Sequence, residues 1–218
     1  MSAAAAARTN APNRLEEASS ARAVRPVGPV PRLYAIADLG LLGERALPGA
    51  VAAMADAGVG WIQLRAKGAS GAAVHALAEA CCRAVEGSGA TLWLDDRVDV
   101  AALLPVGGVH LGQDDLPPAA ARPLLPAATL IGASTHDLAQ AAAAAADAAV
   151  DVVAVGPVFP TASKAAPDPA IGVETVRAAR RLTTKPLVAP PRLPCRELAI
   201  KRQHVAHQST FVEPVHAR

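Results

Sequence analysis

Seven short apolar runs recur along this chain with helix-patterned segments between them, and that repetition limits the folds open to it. The runs are "RLYAIAD" (32–38), "GWIQLR" (60–65), "TLWLDD" (91–96), "GVHLG" (108–112), "TLIGAS" (129–134), "DVVAVGP" (151–157) and "KPLVAP" (185–190). They are continuous rather than alternating, which suits strands buried on both faces, as in parallel sheets. Segments 44–58, 70–87, 137–149 and 172–182 carry helical spacing. Ser70 and Asp137 stand where N-caps belong, and Gly58 and Gly87 where helices stop. The segments after the third and fourth runs are short and proline-rich ("LPPAAARPLLP"), so weak helices are expected there. Strand and helix alternating in this way predicts a parallel sheet with helical cover.

Such a sheet can be doubly wound or closed, and the polar residues favour closure. Nearly every run ends in one: Asp38, Arg65, Asp95 and Asp96, Gln113, Ser134, then Thr161 with Lys164. In a barrel all carboxyl ends converge on one face, whereas an open sheet strings them along an edge. No GxGxxG follows the first run. A length of 218 residues is close to the ~250 of a typical α/β barrel. Hydrophobic residues make up 52% of the chain, enough for a large core.

Composition excludes several function classes. Aromatics are restricted to Tyr34, Trp61, Trp93, Phe159 and Phe211, and the formal charge is only +2. Neither a stacking platform nor a strong phosphate field is available, so nucleic acid is not an expected partner. No apolar run approaches the ~18 residues of a membrane span. Cys81, Cys82 and Cys195 form no CxxC and read as apolar filler in a reducing compartment. Residues 1–30 lack the apolar segment of a secretory signal and read as a disordered arm on a cytoplasmic protein.

The run ends carry the chemistry. Alternation puts Gln63, Arg65 and Lys67 on one side of an extended chain, pointing into the mouth. Two cations and an amide suit a multiply charged anion, although surface placement is the commoner fate of any one of them. Adjacent Asp95 and Asp96 are costly beside an apolar strand unless solvated, paired or metal-bound, and Arg97 is one available partner. Asp114 and Asp115 follow the next run. Carboxylates from neighbouring strand ends opposite Arg and Lys suit Mg²⁺ held jointly with phosphate oxygens, and a diphosphate fits the set. Ser134 and His136 reach the rim, the histidine read as a bystander. Thr161, Ser163 and Lys164 offer two hydroxyls and a cation, as a second anion site or a polar loop.

In order along the chain, "LYAIAD", "IQLRAKG", "LDDRVDVA", "GVHLGQDDLP", "IGASTH" and "VGPVFPTASK" resemble the thiamine phosphate synthase family from about Arg32 to Ala189. The resemblance implies a TIM-type (β/α)8 barrel that joins 4-amino-2-methyl-5-hydroxymethylpyrimidine diphosphate to thiazole phosphate, with Mg²⁺ as cofactor. It implies that Gln63, Arg65 and Lys67 hold the pyrimidine diphosphate and that Asp96 and Asp115 bind Mg²⁺. Ser134 would contact the pyrimidine, Thr161 and Ser163 the thiazole phosphate, and Lys164 the diphosphate. Arg65, Lys67 and Lys164 would stabilise the leaving group. The partners implied are small molecules.

Two departures from the family pattern stand out. Asp95 occupies a position where the family usually has Asn; an ionised Asp accepts but does not donate hydrogen bonds, which would weaken pyrimidine binding. After "PLVA" the family's "GGI"-type turn and eighth strand are replaced by "PPRLPCRELAIKR", with no glycine after Gly172. The expectation is a barrel over 31–190 of about seven strands with the eighth missing, and an unrelated tail over 191–218, as a shift of reading frame would produce. Loss of those loops would impair activity. An open seam invites association with another copy of the chain, so a homo-oligomer is compatible with this reading. The alternatives are an inactive barrel remnant and a thiazole tautomerase on the same barrel, which would not need the diphosphate and metal residues.

Overall fold

The computed structural model describes residues 30–159 and 169–189 and, as backbone, the strand at 209–213. The arm at 1–29, Thr161, Ser163, Lys164 and Cys195 lie outside the described residues. Seven parallel strands follow one another around a ring: β1 (Leu33–Asp38), β2 (Trp61–Arg65), β3 (Thr91–Asp95), β4 (Gly108–Leu111), β5 (Leu130–Thr135), β6 (Val152–Val155) and β7 (Leu187–Ala189). Six fall inside their apolar runs, and β5 extends one residue beyond its own, to Thr135. The helices are α1 (Leu39–Leu42), α2 (Leu47–Asp56), α3 (Gly71–Val85), α4 (Val98–Ala101), α5 (Pro118–Ala121), α6 (Leu138–Ala146) and α7 (Gly172–Leu182).

The expected signals set the helix ends. Ser70 Oγ accepts from Ala73 N at 3.2 Å and Asp137 Oδ1 from Gln140 N at 2.7 Å, each satisfying an orphan donor of the first turn. Gly58 and Gly87 take φ of 84° and 75° just past α2 and α3, a region that glycine enters without a Cβ clash. The two proline-rich crossovers are short, as expected: α4 and α5 have four residues each, and a single 3-10 turn, Arg122–Leu124, follows α5. That turn contains an unforeseen staple. Arg122 is buried, gives Nη1 to Thr129 O at 2.7 Å, and places Nη2 2.5 Å from Asp151 Oδ2, which also accepts from Ile131 N.

Strand alternation divides the core into two layers. Ala35, Ala37, Ile62, Leu64, Leu92, Leu94, Val109, Leu111 and Ile131 face outward and pack with the helices. Tyr34, Trp61, Trp93, Val152, Ala154 and Val188 fill the ring from within. Three large aromatics fit because their neighbours are small: a Cβ on Gly108 would lie 2.5 Å from the Trp93 ring. Period-two alternation then carries each strand upward from this apolar floor: Gln63 and Arg65 above Trp61, Asp95 above Trp93, Ser134 above Gly132.

The tail corrects one expectation. Among the described residues no eighth parallel strand follows β7, but the seam is not left open. Strand β8 (Ser209–Glu213) runs antiparallel to both neighbours, with Leu33↔Phe211 and Ala35↔Ser209 on one side and Leu187↔Glu213 and Ala189↔Phe211 on the other. "STFVE" has the β-branched and aromatic residues of a strand but not the continuous apolar run of a buried parallel one. Reversed, it enters from the end of the ring at which β7 finishes and needs no crossover helix. A proline at 212 removes a ladder donor from a strand paired on both sides. Val212→Pro should cost about 1–3 kcal/mol, lower Tm by roughly 2–12 °C, and promote association through the released edges. Thermal circular dichroism and light scattering check this; unchanged values would mean that β8 does not close the ring.

Candidate active site at the barrel mouth

Closure brings the carboxyl ends of β1 to β5 together, and side chains of opposite charge interleave there. Asp38 ends β1, accepting at Oδ1 from Gly40 N at 2.8 Å as the cap of α1, while its Oδ2 pairs with Arg65 Nη1 from β2. Arg65 Nε and Lys67 Nζ each stand 3.6 Å from Asp95 Oδ2 at the end of β3, and Lys67 Nζ also pairs closely with Asp96 Oδ2. Acid and base thus alternate across three strands as Asp38, Arg65, Asp95, Lys67, Asp96. The sequence-predicted trio splits by depth. Gln63 is buried and donates to Tyr34 Oη at 3.2 Å, Arg65 sits at the mouth, and Lys67 lies beyond the strand end.

Asp96 has φ of 61°, left-handed for a residue with a side chain but tolerated by Asp. Its backbone N donates to His110 O at 2.9 Å, which ties the β3 exit to β4. Arg97 is not the partner of Asp95 or Asp96. It grips Asp99 instead, Nε to Oδ1 at 2.8 Å and Nη2 to Oδ2 at 2.5 Å, and holds that carboxyl below the usual range. After β4, Asp115 Oδ2 accepts from Gly112 N at 2.7 Å, Gln113 Nε2 donates to Ser134 O at 2.5 Å, and Asp114 is exposed. His136 places Nδ1 2.6 Å from Gly156 O, linking the β5 and β6 exits.

Burial and like charge disturb the carboxyls. Burial pushes Asp95 up to about 6, with the Asp96 charge adding to it and Lys67 and Arg65 opposing. Its Oδ2 is sealed from solvent without a hydrogen bond among the described residues. Burial also raises Asp96, helped by the Asp115 carboxyl within hydrogen-bond reach. Burial works against the Lys67 ammonium, yet its pairing with Asp96 and Asp95 offsets this and leaves its pKa above the ordinary lysine value. Cys81, by contrast, is pushed up to about 12 by burial and then by Cys82, as inert filler should be.

Two carboxyls that repel each other, with an ammonium lodged against one, suit a divalent cation. Among the described residues no group of three or more His, Cys, Asp or Glu is placed to cage a metal alone. Asp96 and Asp115 could supply two of the ligands of an ion that takes the rest from substrate phosphate and water, as Mg²⁺ does.

The sequence reading missed His110. It lies inside the ring on β4, with Nε2 2.9 Å from Ser134 Oγ and its ring 6.3 Å from that of Tyr34. The only signal was its place in "GVHLG", one residue out of step with the outward-facing Val109 and Leu111.

The Asp95 shift has a thermodynamic consequence. Between the unfolded value of 3.8 and about 6 the folded chain keeps a proton on Asp95 that the unfolded chain releases. The stability this group confers is complete at low pH and is lost as pH rises through about 6. In metal-free buffer, Asp95→Asn should exceed the parent by about 1–3 kcal/mol at pH 8, and the gain should vanish near pH 4. Urea unfolding at the two pH values measures this; equal stability at pH 8 would contradict it.

Comparison with known proteins agrees with this fold. A family model described as thiamine monophosphate synthase matches residues 33–190. The thiamine-phosphate synthase of Koribacter versatilis is 40% identical over 164 residues, covering 73% of this chain and 77% of its own length. That of Albidiferax ferrireducens is 40% identical over 158 residues, with 72% of each covered. Among solved structures, a thiamine phosphate pyrophosphorylase from Pyrococcus furiosus superposes with a TM-score of 0.65 at 28% identity, covering 75% of this chain and 76% of that one. With its seven parallel strands in order and its charged residues at their carboxyl ends, the chain belongs to the thiamine monophosphate synthase family.

Proposed function

We propose that this chain is a transferase that makes thiamine phosphate, joining 4-amino-2-methyl-5-hydroxymethylpyrimidine diphosphate to thiazole phosphate and releasing diphosphate. The interleaved set Asp38, Arg65, Asp95, Lys67 and Asp96, with Asp115 facing it, supports this reading best. It combines a cationic grip with a carboxylate pair suited to a divalent cation, as a leaving diphosphate requires. A tautomerase would need neither, and a remnant with an open seam does not match a ring closed by β8.

The reaction breaks the bond between the pyrimidine methylene and the diphosphate oxygen and forms one from that methylene to the thiazole nitrogen. Arg65 and Lys67 hold the diphosphate and stabilise the charge it gains on leaving. Each already lies against a carboxylate, so the diphosphate replaces one anionic partner by another. Asp96 and Asp115 would hold Mg²⁺, which supplies further charge neutralisation on the phosphate oxygens. Gln63 and Ser134 orient the pyrimidine from the floor and the β5 exit. Asp95, where the family usually has Asn, keeps an acceptor facing the pyrimidine ring when ionised. Lys164, Thr161 and Ser163, outside the described residues, are assigned by resemblance to the diphosphate and the thiazole phosphate. The expected reaction site is the mouth, which excludes bulk water only on its floor.

The purified chain, given both substrates and Mg²⁺, should form thiamine phosphate detectable by mass spectrometry. Replacement of the GGI-type loop leads us to expect a higher KM for thiazole phosphate than in a barrel that keeps that loop. Asp96→Asn or Asp115→Asn should each lower kcat by about 10²–10³, and Lys67→Met should raise the KM for the pyrimidine diphosphate. Absence of product across a broad range of substrate and Mg²⁺ concentration would refute the assignment.

A further inference from the structure

We propose that His110 is a positioning residue that fixes Ser134 as a hydrogen-bond donor: His110 Nε2–H donates to Ser134 Oγ, and the serine proton is left for an acceptor atom on the substrate. This rests on the reading of Ser134 as a contact for the pyrimidine.

The argument starts from burial. His110 is 8% exposed inside the ring. Only one of its ring nitrogens has a hydrogen-bond partner among the described residues, so the imidazole carries one N–H, on one nitrogen or the other. The two nitrogens have different surroundings. Nε2 lies 2.9 Å from Ser134 Oγ. Nδ1 is sealed from solvent, has no hydrogen-bond partner among the described residues, and faces the backbone of Gly132 so closely that a Cβ there would lie 2.6 Å from it. An orphaned buried N–H is rarer than an under-satisfied acceptor, so the proton belongs on Nε2 and the lone pair on Nδ1.

With Nε2–H donating, Ser134 Oγ has one lone pair engaged and its own proton free. The backbone of Ser134 is held independently, because its carbonyl accepts from Gln113 Nε2 at 2.5 Å. Ser134 is then anchored at both main chain and side chain, leaving the hydroxyl proton as the group able to turn towards the mouth. Such a serine selects a substrate acceptor, such as an aromatic ring nitrogen, over a donor such as an exocyclic amine. The opposite tautomer would reverse the preference.

Nitrogen-15 NMR of the full-length chain labelled at histidine reads the tautomer directly, with His110 assigned by difference from His110→Gln. The expected spectrum shows Nε2 protonated and Nδ1 bare; a protonated Nδ1 overturns the proposal. Kinetics supply the second arm. Gln places an amide donor near the Nε2 position, whereas Leu removes it. His110→Gln should retain kcat within a few-fold, while His110→Leu should lose about tenfold or more, the scale of one hydrogen bond. The KM for thiazole phosphate should be unchanged in both. Equal loss in Gln and Leu would also overturn the proposal. If the parent chain forms no thiamine phosphate, the functional reading fails, and the NMR result still decides the tautomer.

Discussion

The pairing of β8 with β1 and β7 is the constraint on which the rest depends. Seven parallel strands in a twisted sheet leave two edges facing each other, each with a row of unpaired backbone groups. The tail fills the gap with three residue pairs on each side, in the reverse direction to every other strand. Once the ring is shut, the side chains that alternate inward from each strand are confined in one column. Tyr34 on β1 and Val188 on β7 belong to the same interior cluster as Trp93 on the far strands, so the aromatic floor spans the seam. Register makes this direct: Tyr34 is opposite Thr210 and Val188 is opposite Val212.

Crowding at the mouth follows from closure. Asp38, Arg65, Asp95 and Ser134 occupy strand ends that an open sheet would spread along an edge. In the ring Asp38, Arg65 and Asp95 meet in ion pairs, and alternation of sign is what makes this tolerable. Cancellation is incomplete around Asp95. Two cations at 3.6 Å offset part of the cost of burial, but the carboxyl remains above its ordinary value, and one oxygen has no hydrogen bond among the described residues. The Asp96 and Asp115 carboxyls add a second repulsive contact. Charges left under-compensated at a concave face, over a dry aromatic floor, are those that gain most from an incoming partner of mixed charge.

Much of this was legible in the sequence because it depends on local periodicity. Continuous apolar runs gave all seven parallel strands, and caps at Ser70 and Asp137 gave the starts of α3 and α6. Alternation put Gln63 and Arg65 inside. What was not legible depends on pairing between distant residues. Arg97 stands next to the Asp95–Asp96 pair in sequence, but the left-handed turn at Asp96 carries the chain round, and the guanidinium meets Asp99. Arg122 and Asp151 look like ordinary surface charges until the ring buries them against each other. The pattern of β8 is polar at both ends, and its direction cannot be read from composition. His110 occupied an inward position by parity, yet one histidine in an apolar run gives no sign of its partner until β5 is beside β4.

The interior of the ring is graded, and the grading explains why a neutral histidine sits where it does. At the base are Trp61, Trp93 and Tyr34, with ring centroids 4.8–5.8 Å apart. Above them are groups that are polar but uncharged: Gln63, the Tyr34 hydroxyl and His110. Charge enters at the strand exits, with Arg65 ending β2 and with Asp95 ending β3 in register with His110. A charged residue one level lower would lie against aromatic faces with too few partners, and an apolar residue there would leave Gln63 and Ser134 without orientation. The middle layer needs hydrogen-bonding side chains that remain neutral in a dry site. Imidazole meets that condition because desolvation drives it to the uncharged form. It also has two nitrogens set apart, so it can rest one against the Gly132 backbone while the other reaches Ser134. A lysine or a glutamate at 110 would titrate or unpack the floor, and a leucine would leave the serine hydroxyl free to turn.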